Sequence, residues 1–208
     1  MKSYSKLTVT LLVAWFLFAL IGSAAHLFRN DGNRFGLGVA LAAGLPIVIF
    51  AGWAAASRSF RQFLLSVDIS VLTLLHSWRL MGFTFLLLEA RGVLPAIFAL
   101  PAGYGDMFIG ATATWVGLKL AVPEHRGSFM AWQAFGILDL VTAVTLGTTV
   151  GLFDPAASMA AMTVLPLSLI PTFLVPLFLM FHVISIAQAR TWKAVGTVAG
   201  RVAMVNGR

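Results

Sequence analysis

The 208-residue chain contains no cysteine. That excludes disulfides, thiolate metal centres, iron–sulfur clusters and thiol catalysis, and leaves the compartment open. Charge is almost as scarce, at 10% of residues against 60% hydrophobic. A soluble domain carries about 25% charged residues, because it must cover its core with a solvated surface. This composition cannot make such a surface, and the solvent that suits it is lipid. HExxH, GxSxG, Walker A and paired DxxD patterns are missing too, so the case for an enzyme is weak and no metal site is expected.

What the chain does have is a series of apolar runs, and its length suits about six spans of about 20 residues. The first runs from Leu7 to Phe28, entered from Lys2 and Lys6, with Ser23-Ala24-Ala25 near its end. That pattern is like a signal peptide, but the run is long for a signal core and is read as a retained helix. A turn at Asp31-Gly32-Asn33 leads to a second helix, Phe35 to Ala56, with a small-residue stripe at Gly36, Ala40 and Gly44. Ser57 to Gln62 is a basic connection. Helix three spans Phe63 to Ala90 and carries Asp68, His76, Arg79 and Glu89.

Residues 92–106 are mostly apolar yet hold Pro95, Pro101, Gly92, Gly103 and Gly105. This composition predicts an interfacial or re-entrant segment rather than a helix, because proline and glycine interrupt regular winding. Helix four follows from Tyr104 to Val122, with Asp106 as a cap on its first free amides. After Pro123-Glu124-His125-Arg126, helix five runs from Phe129 to Leu152, holds Asp139 near its middle, and ends in a Gly147–Gly151 packing pair. Helix six extends from Ser158 to Gln188, with Pro166, Pro171 and Pro176 freeing the carbonyls of Met162, Leu167 and Thr172. No internal repeat of the inverted-transporter kind is evident.

The net charge of +7 is not a nucleic-acid signature, since the basic residues lie between apolar runs and are not clustered with aromatics. They read as topology signals and contacts to anionic lipid. With the amino end inside, Lys2, Lys6, Arg58, Arg61, Lys119, Arg126, Arg190, Lys193, Arg201 and Arg208 are cytoplasmic, against Arg29, Arg34 and Arg91 outside. This positive-inside bias places both termini in the cytoplasm of a bacterial-type inner membrane. The bilayer is the expected partner, a homo-oligomer or a membrane-complex partner stays open, and no nucleic acid is expected.

Arg79 is the most informative residue. An arginine at a helix centre costs about 2.5–3.5 kcal/mol on insertion scales and therefore faces the bundle with a partner. Asp139 lies at similar depth and is the first choice. At 100° per residue Asp68, His76, Arg79, Gly82 and Glu89 share one face of helix three. That stripe can line a solute path, with His76, Arg79, Asp139 and Glu89 as its site residues, or be a buried packing seam. His76 and His182 are the histidines well inside helices and could hold a b-type haem. Their depths differ, with His182 nearer the inner surface, which counts against it. His26 and His125 sit near interfaces.

The stretch from Leu94-Pro95 through Phe98, Pro101 and Gly103-Tyr104-Gly105-Asp106 resembles a run in uncharacterised bacterial polytopic membrane proteins. The segments Gly136 to Leu140 and Ile170 to Pro176 are similar to theirs as well. The resemblance touches the later part of the chain; it implies a six-helix membrane protein and neither an activity nor a role for any residue.

The sequence thus predicts an all-α integral membrane bundle of six helices over residues 1–189, with a basic cytoplasmic tail over 190–208. Three functions remain: small-solute or ion transport along the helix-three stripe, a non-catalytic membrane subunit or scaffold, and a haem or quinone redox protein. Reporter fusions after Arg126 and after Arg190 should be cytoplasmic and one after Asp154 external. The opposite pattern would overturn the orientation.

Overall fold

The computed structural model describes residues 2–29, 37–153 and 158–192. The expected turn at Asp31-Gly32-Asn33, the connection at Asp154 and the tail from Lys193 lie outside the described residues. Within them the chain is all-helical, without strands. Five helical stretches are long and apolar enough to cross a membrane: Tyr4–Ala24, Gly38–Ala56, Ile69–Ala90, Pro123–Val150 and Ile170–Arg190. Their outer faces are as apolar as their inner ones. Trp78 is 69% exposed and Val48 67%, and Leu118, Ile21 and Leu138 are similarly bare. A surface of this kind is stable only against another apolar phase, which is what a bilayer supplies.

α1 (Lys2–Ala24) and α2 (Leu37–Ala56) flank the bundle. α1 ends with His26 in the left-handed region (φ 59°), and Leu27 N–H reaches back to the Gly22 carbonyl at 2.8 Å, closing the helix end. The expected long helix three is instead four pieces: α3 (Arg58–Leu65), α4 (Ile69–Leu75), a 3-10 segment (His76–Gly82) and α5 (Phe83–Ala90). α3 covers most of the segment read as a basic connection. Ser57 Oγ accepts from Phe60 N–H at its start, and the aromatic face packs on α2, with Phe60 stacked on Trp53 at 4.0 Å between ring centroids.

Several free backbone groups at this break find a side chain, as a segment out of water requires. Arg61 donates to the Ala54 and Ala55 carbonyls at the end of α2, both at 2.7 Å. Gln188 donates to the Leu64 and Val67 carbonyls at 3.0 and 2.9 Å. Asp68 accepts from Ser70 and Val71 N–H, so it is the N-cap of α4 and not part of a polar stripe.

The second departure concerns residues 92–106. They are not the broken stretch expected: Ala96–Trp115 is one continuous helix, α6, and Asp106 lies well inside it. Pro95 stands at the N-cap, where a missing N–H costs nothing, and its carbonyl accepts from Ala99 N–H at 2.9 Å. Pro101 gives up one bond only. Away from water an unpaired peptide costs several kcal/mol per group, so the helix persists through residues that would break it in solution.

The glycines have a different purpose. Gly103 and Gly110 of α6 and Gly117 of the π-helical turn that continues it (Val116–Leu120) recur every seven residues and form a seam against the α4–α5 stretch. A β-carbon on Gly103 would lie 3.2 Å from the Gly82 carbonyl oxygen, and one on Gly117 at 3.2 Å from that of Ser70. One on Gly110 would run into the backbone of Arg79 and Leu80. α6 thus sits at the centre, also packed on α7 (Arg126–Phe153).

Helix six is likewise divided. A 3-10 turn (Ala160–Thr163) precedes a π-helical turn (Ile170–Leu174) and α8 (Val175–Arg190). Three prolines at five-residue spacing cannot share one regular helix. The Thr172 carbonyl, freed by Pro176, accepts from Trp15 Nε1–H of α1 at 3.1 Å. Ser168 Oγ donates to Ser23 Oγ at 2.8 Å, so the irregular backbone is also what holds α1.

Gly110→Ala should lower the melting temperature in detergent, at a cost of about 1–3 kcal/mol from overpacking. Gly52→Ala, where an added methyl meets nothing within 4 Å, should leave it unchanged or raise it through alanine's helix propensity. Equal melting of the two variants would contradict the close approach of α6.

Candidate functional site

The 3-10 segment sets the geometry of the site. At three residues per turn, positions i, i+3 and i+6 line up, and these are His76, Arg79 and Gly82. All three are buried and face the interior, while Asp68 and Glu89, on the α-helical pieces to either side, do not join them. Glu89 is half-buried near the end of α5 and makes no side-chain hydrogen bond or ion pair among the described residues.

Arg79 meets Asp139, the partner expected from depth, through Nη2 and Oδ2. It also donates from Nε to Asp106 Oδ1 at 2.6 Å. Its Nη1 reaches His182 Nε2 at 3.2 Å and the Gly136 carbonyl at 3.5 Å. Since Arg79 can only donate, His182 Nε2 must accept, which puts the ring hydrogen on Nδ1, facing Gln133 Oε1 at 2.5 Å. One guanidinium therefore ties the 3-10 segment to α6, α7 and α8.

A glycine makes room at three of these contacts. A β-carbon on Gly82 would collide with Asp106, one on Gly105 with Asp139, and one on Gly136 with the His182 ring. Asp106 was expected as a helix cap and is instead a principal partner of Arg79. The local signal misled because the helix begins eight residues earlier than the composition suggests, at Ala96 rather than Tyr104. Gln133, unremarked in the sequence, is buried beside His182; nothing in its neighbours distinguishes it from a polar residue facing lipid head groups.

The histidines are also closer than their expected depths allow. Their rings stack at 3.9 Å between centroids, inclined by 26°. The reason is the break before Asp68: His76 lies eight residues inside the start of its helix (76 − 68), as His182 lies eight before Arg190 (190 − 182). This stack does not fit a haem held between two histidines. The rings touch with no slot for a macrocycle, and both His182 nitrogens are already hydrogen-bonded. His76 sits among the rings of Trp132, Phe178 and Phe181, with neither nitrogen hydrogen-bonded to a described residue. Gln133 Nε2 and Ser185 Oγ are buried and unpartnered in the same way.

On the opposite side the network borders a cavity of about 330 Å³. Its walls come from α2 (Ala40, Ala43, Gly44), α7 (Val141, Thr145) and the bent region of Pro171 and Pro176. They are apolar almost throughout, and the charged group among them is Asp106, whose side chain is 17% exposed. With both carboxylates ionised the Arg79 network carries one surplus negative charge, which a proton or a cation would cancel.

Fold and site together define an all-helical chain of membrane type, with a buried Arg–Asp–Asp–His network beside an apolar cavity. The chain belongs to the family described as a domain of unknown function, DUF8737, whose profile matches residues 34–190 and so takes in every residue of the network. No curated protein matches it, and no solved structure does.

Arg79→Ala should destabilise the protein by about 3–5 kcal/mol, because it strands two carboxylates away from water. Adding Asp106→Asn and Asp139→Asn to that variant should restore much of the loss. Detergent melting of the single, paired and triple variants measures the coupling, and strictly additive losses would rule out the network as an energetic unit.

Proposed function

We propose that this protein crosses a bacterial-type inner membrane six times, with α6 added to the five long apolar stretches as the fourth crossing in chain order, and with both termini cytoplasmic. In that membrane it binds a small, largely apolar solute as a step in its permeation or transport. The observation that carries this reading is the cavity beside Asp106. It is large enough for a small organic molecule, adjoins the proline-bent region where helices can flex, and reaches a charged network at membrane depth. A path along the whole face of helix three has no such support, since Asp68 caps a helix and Glu89 stands apart.

A scaffold is the second reading, and the engagement of all three Arg79 nitrogens with protein acceptors favours it. The two readings differ over whether the cavity is occupied specifically. An uncharged phenyl-diazirine photoprobe, applied to protein in phosphatidylcholine nanodiscs, should label cavity residues such as Met162 and Leu140 saturably. Excess unlabelled neopentylbenzene should suppress those adducts and leave labelling of the lipid-facing Val48 unchanged. Adducts at Met162 that compete no better than those at Val48 would remove the solute-binding reading in favour of the scaffold.

A further inference from the structure

The charge balance at the cavity identifies the class of solute. Arg79 is the cation of the network and faces two carboxylates, Asp106 and Asp139. The neighbouring histidines do not offset them: His182 accepts from Arg79 through Nε2 and directs its ring hydrogen at Gln133, and His76 is enclosed by aromatic rings. Asp106 uses Oδ1 for Arg79, and no hydrogen bond from a described residue reaches its Oδ2. Its partly exposed side chain lies on the cavity wall. Phe85 and Phe98, with ring centroids 5.4 Å apart, line the same space.

We propose that the cavity selects a lipophilic organic cation, with its charged head at Asp106 and its apolar body between α2, α7 and the Pro171–Pro176 bend. With both carboxylates ionised, Asp106 gives the head a counter-charge that Arg79 does not cancel, and the walls take the body out of contact with water. A neutral molecule of the same shape gains the second contribution alone. An anion would meet the Asp106 carboxylate directly and be repelled. The proposal rests on reading the cavity as a binding site, so its test must separate the two claims.

Benzyltrimethylammonium and neopentylbenzene have the same shape and differ by one charge. Each would compete against the phenyl-diazirine photoprobe at Met162 in phosphatidylcholine nanodiscs, with concentrations corrected for partition into empty discs. The cation should compete about tenfold better or more, as expected for contact with a charged partner. Asp106→Asn, which keeps an acceptor for Arg79 Nε, should bring the two compounds to near parity. Thr145→Lys leaves the network intact and places an ammonium on the cavity wall; it should also abolish the preference, which keeps the test open if Asp106→Asn misfolds. If the neutral compound competes as well as the cation in the unaltered protein, the charge selection is wrong and the cavity reading survives. If neither competes, the cavity reading fails and this inference fails with it.

Discussion

A buried guanidinium has five N–H donors and must find acceptors for them inside the protein. Satisfying Arg79 therefore constrains everything around it. Acceptors must arrive from several directions, and they come from Asp106 on α6, Asp139 and the Gly136 carbonyl on α7, and His182 on α8. Those helices can come close enough because glycines stand where side chains would otherwise intervene, at positions 82, 105 and 136. The tight winding of His76–Gly82 belongs to the same arrangement, since it puts His76, Arg79 and Gly82 on one line facing the partners.

The same constraint divides the interior into two unlike halves. On the His76 side, aromatic rings and stacked imidazoles fill the space and leave two ring nitrogens without hydrogen bonds to described residues. On the Asp106 side the packing opens into an apolar cavity between α2, α7 and the proline bend. Isolated structural ion pairs have no need of an adjoining cavity. The juxtaposition of a carboxylate with an apolar space is the observation on which the solute-binding proposal and its preference for organic cations rest.

Backbone satisfaction outside water governs the periphery as Arg79 governs the centre. Arg61, Asp68 and Gln188 close the ends of helices at the break before α4, and Trp15 takes the carbonyl that Pro176 sets free. Residues that look like loose polar decoration in the sequence are the partners of particular peptide groups. Their positions explain how a chain with two interrupted helical stretches satisfies backbone groups at the breaks.

Composition by itself determined the helical, membrane-compatible character of the chain, because 10% charge cannot cover a soluble surface. The position of Arg79 also marked it as a buried residue in need of a partner and pointed to Asp139, since a charge deep in lipid is costly and a counter-charge at similar depth relieves it. It could not place Asp106, because proline and glycine carry one meaning in water and another in lipid, and only packing shows that Pro95 caps α6 while its glycines form a seam. Nor could it bring His76 against His182, because depth counted along an uninterrupted helix ignores the break at Asp68. The cavity was beyond any reading of one strand of sequence: its walls come from segments some 130 residues apart, and a space between helices exists only once their approach is fixed by the side chains that meet there.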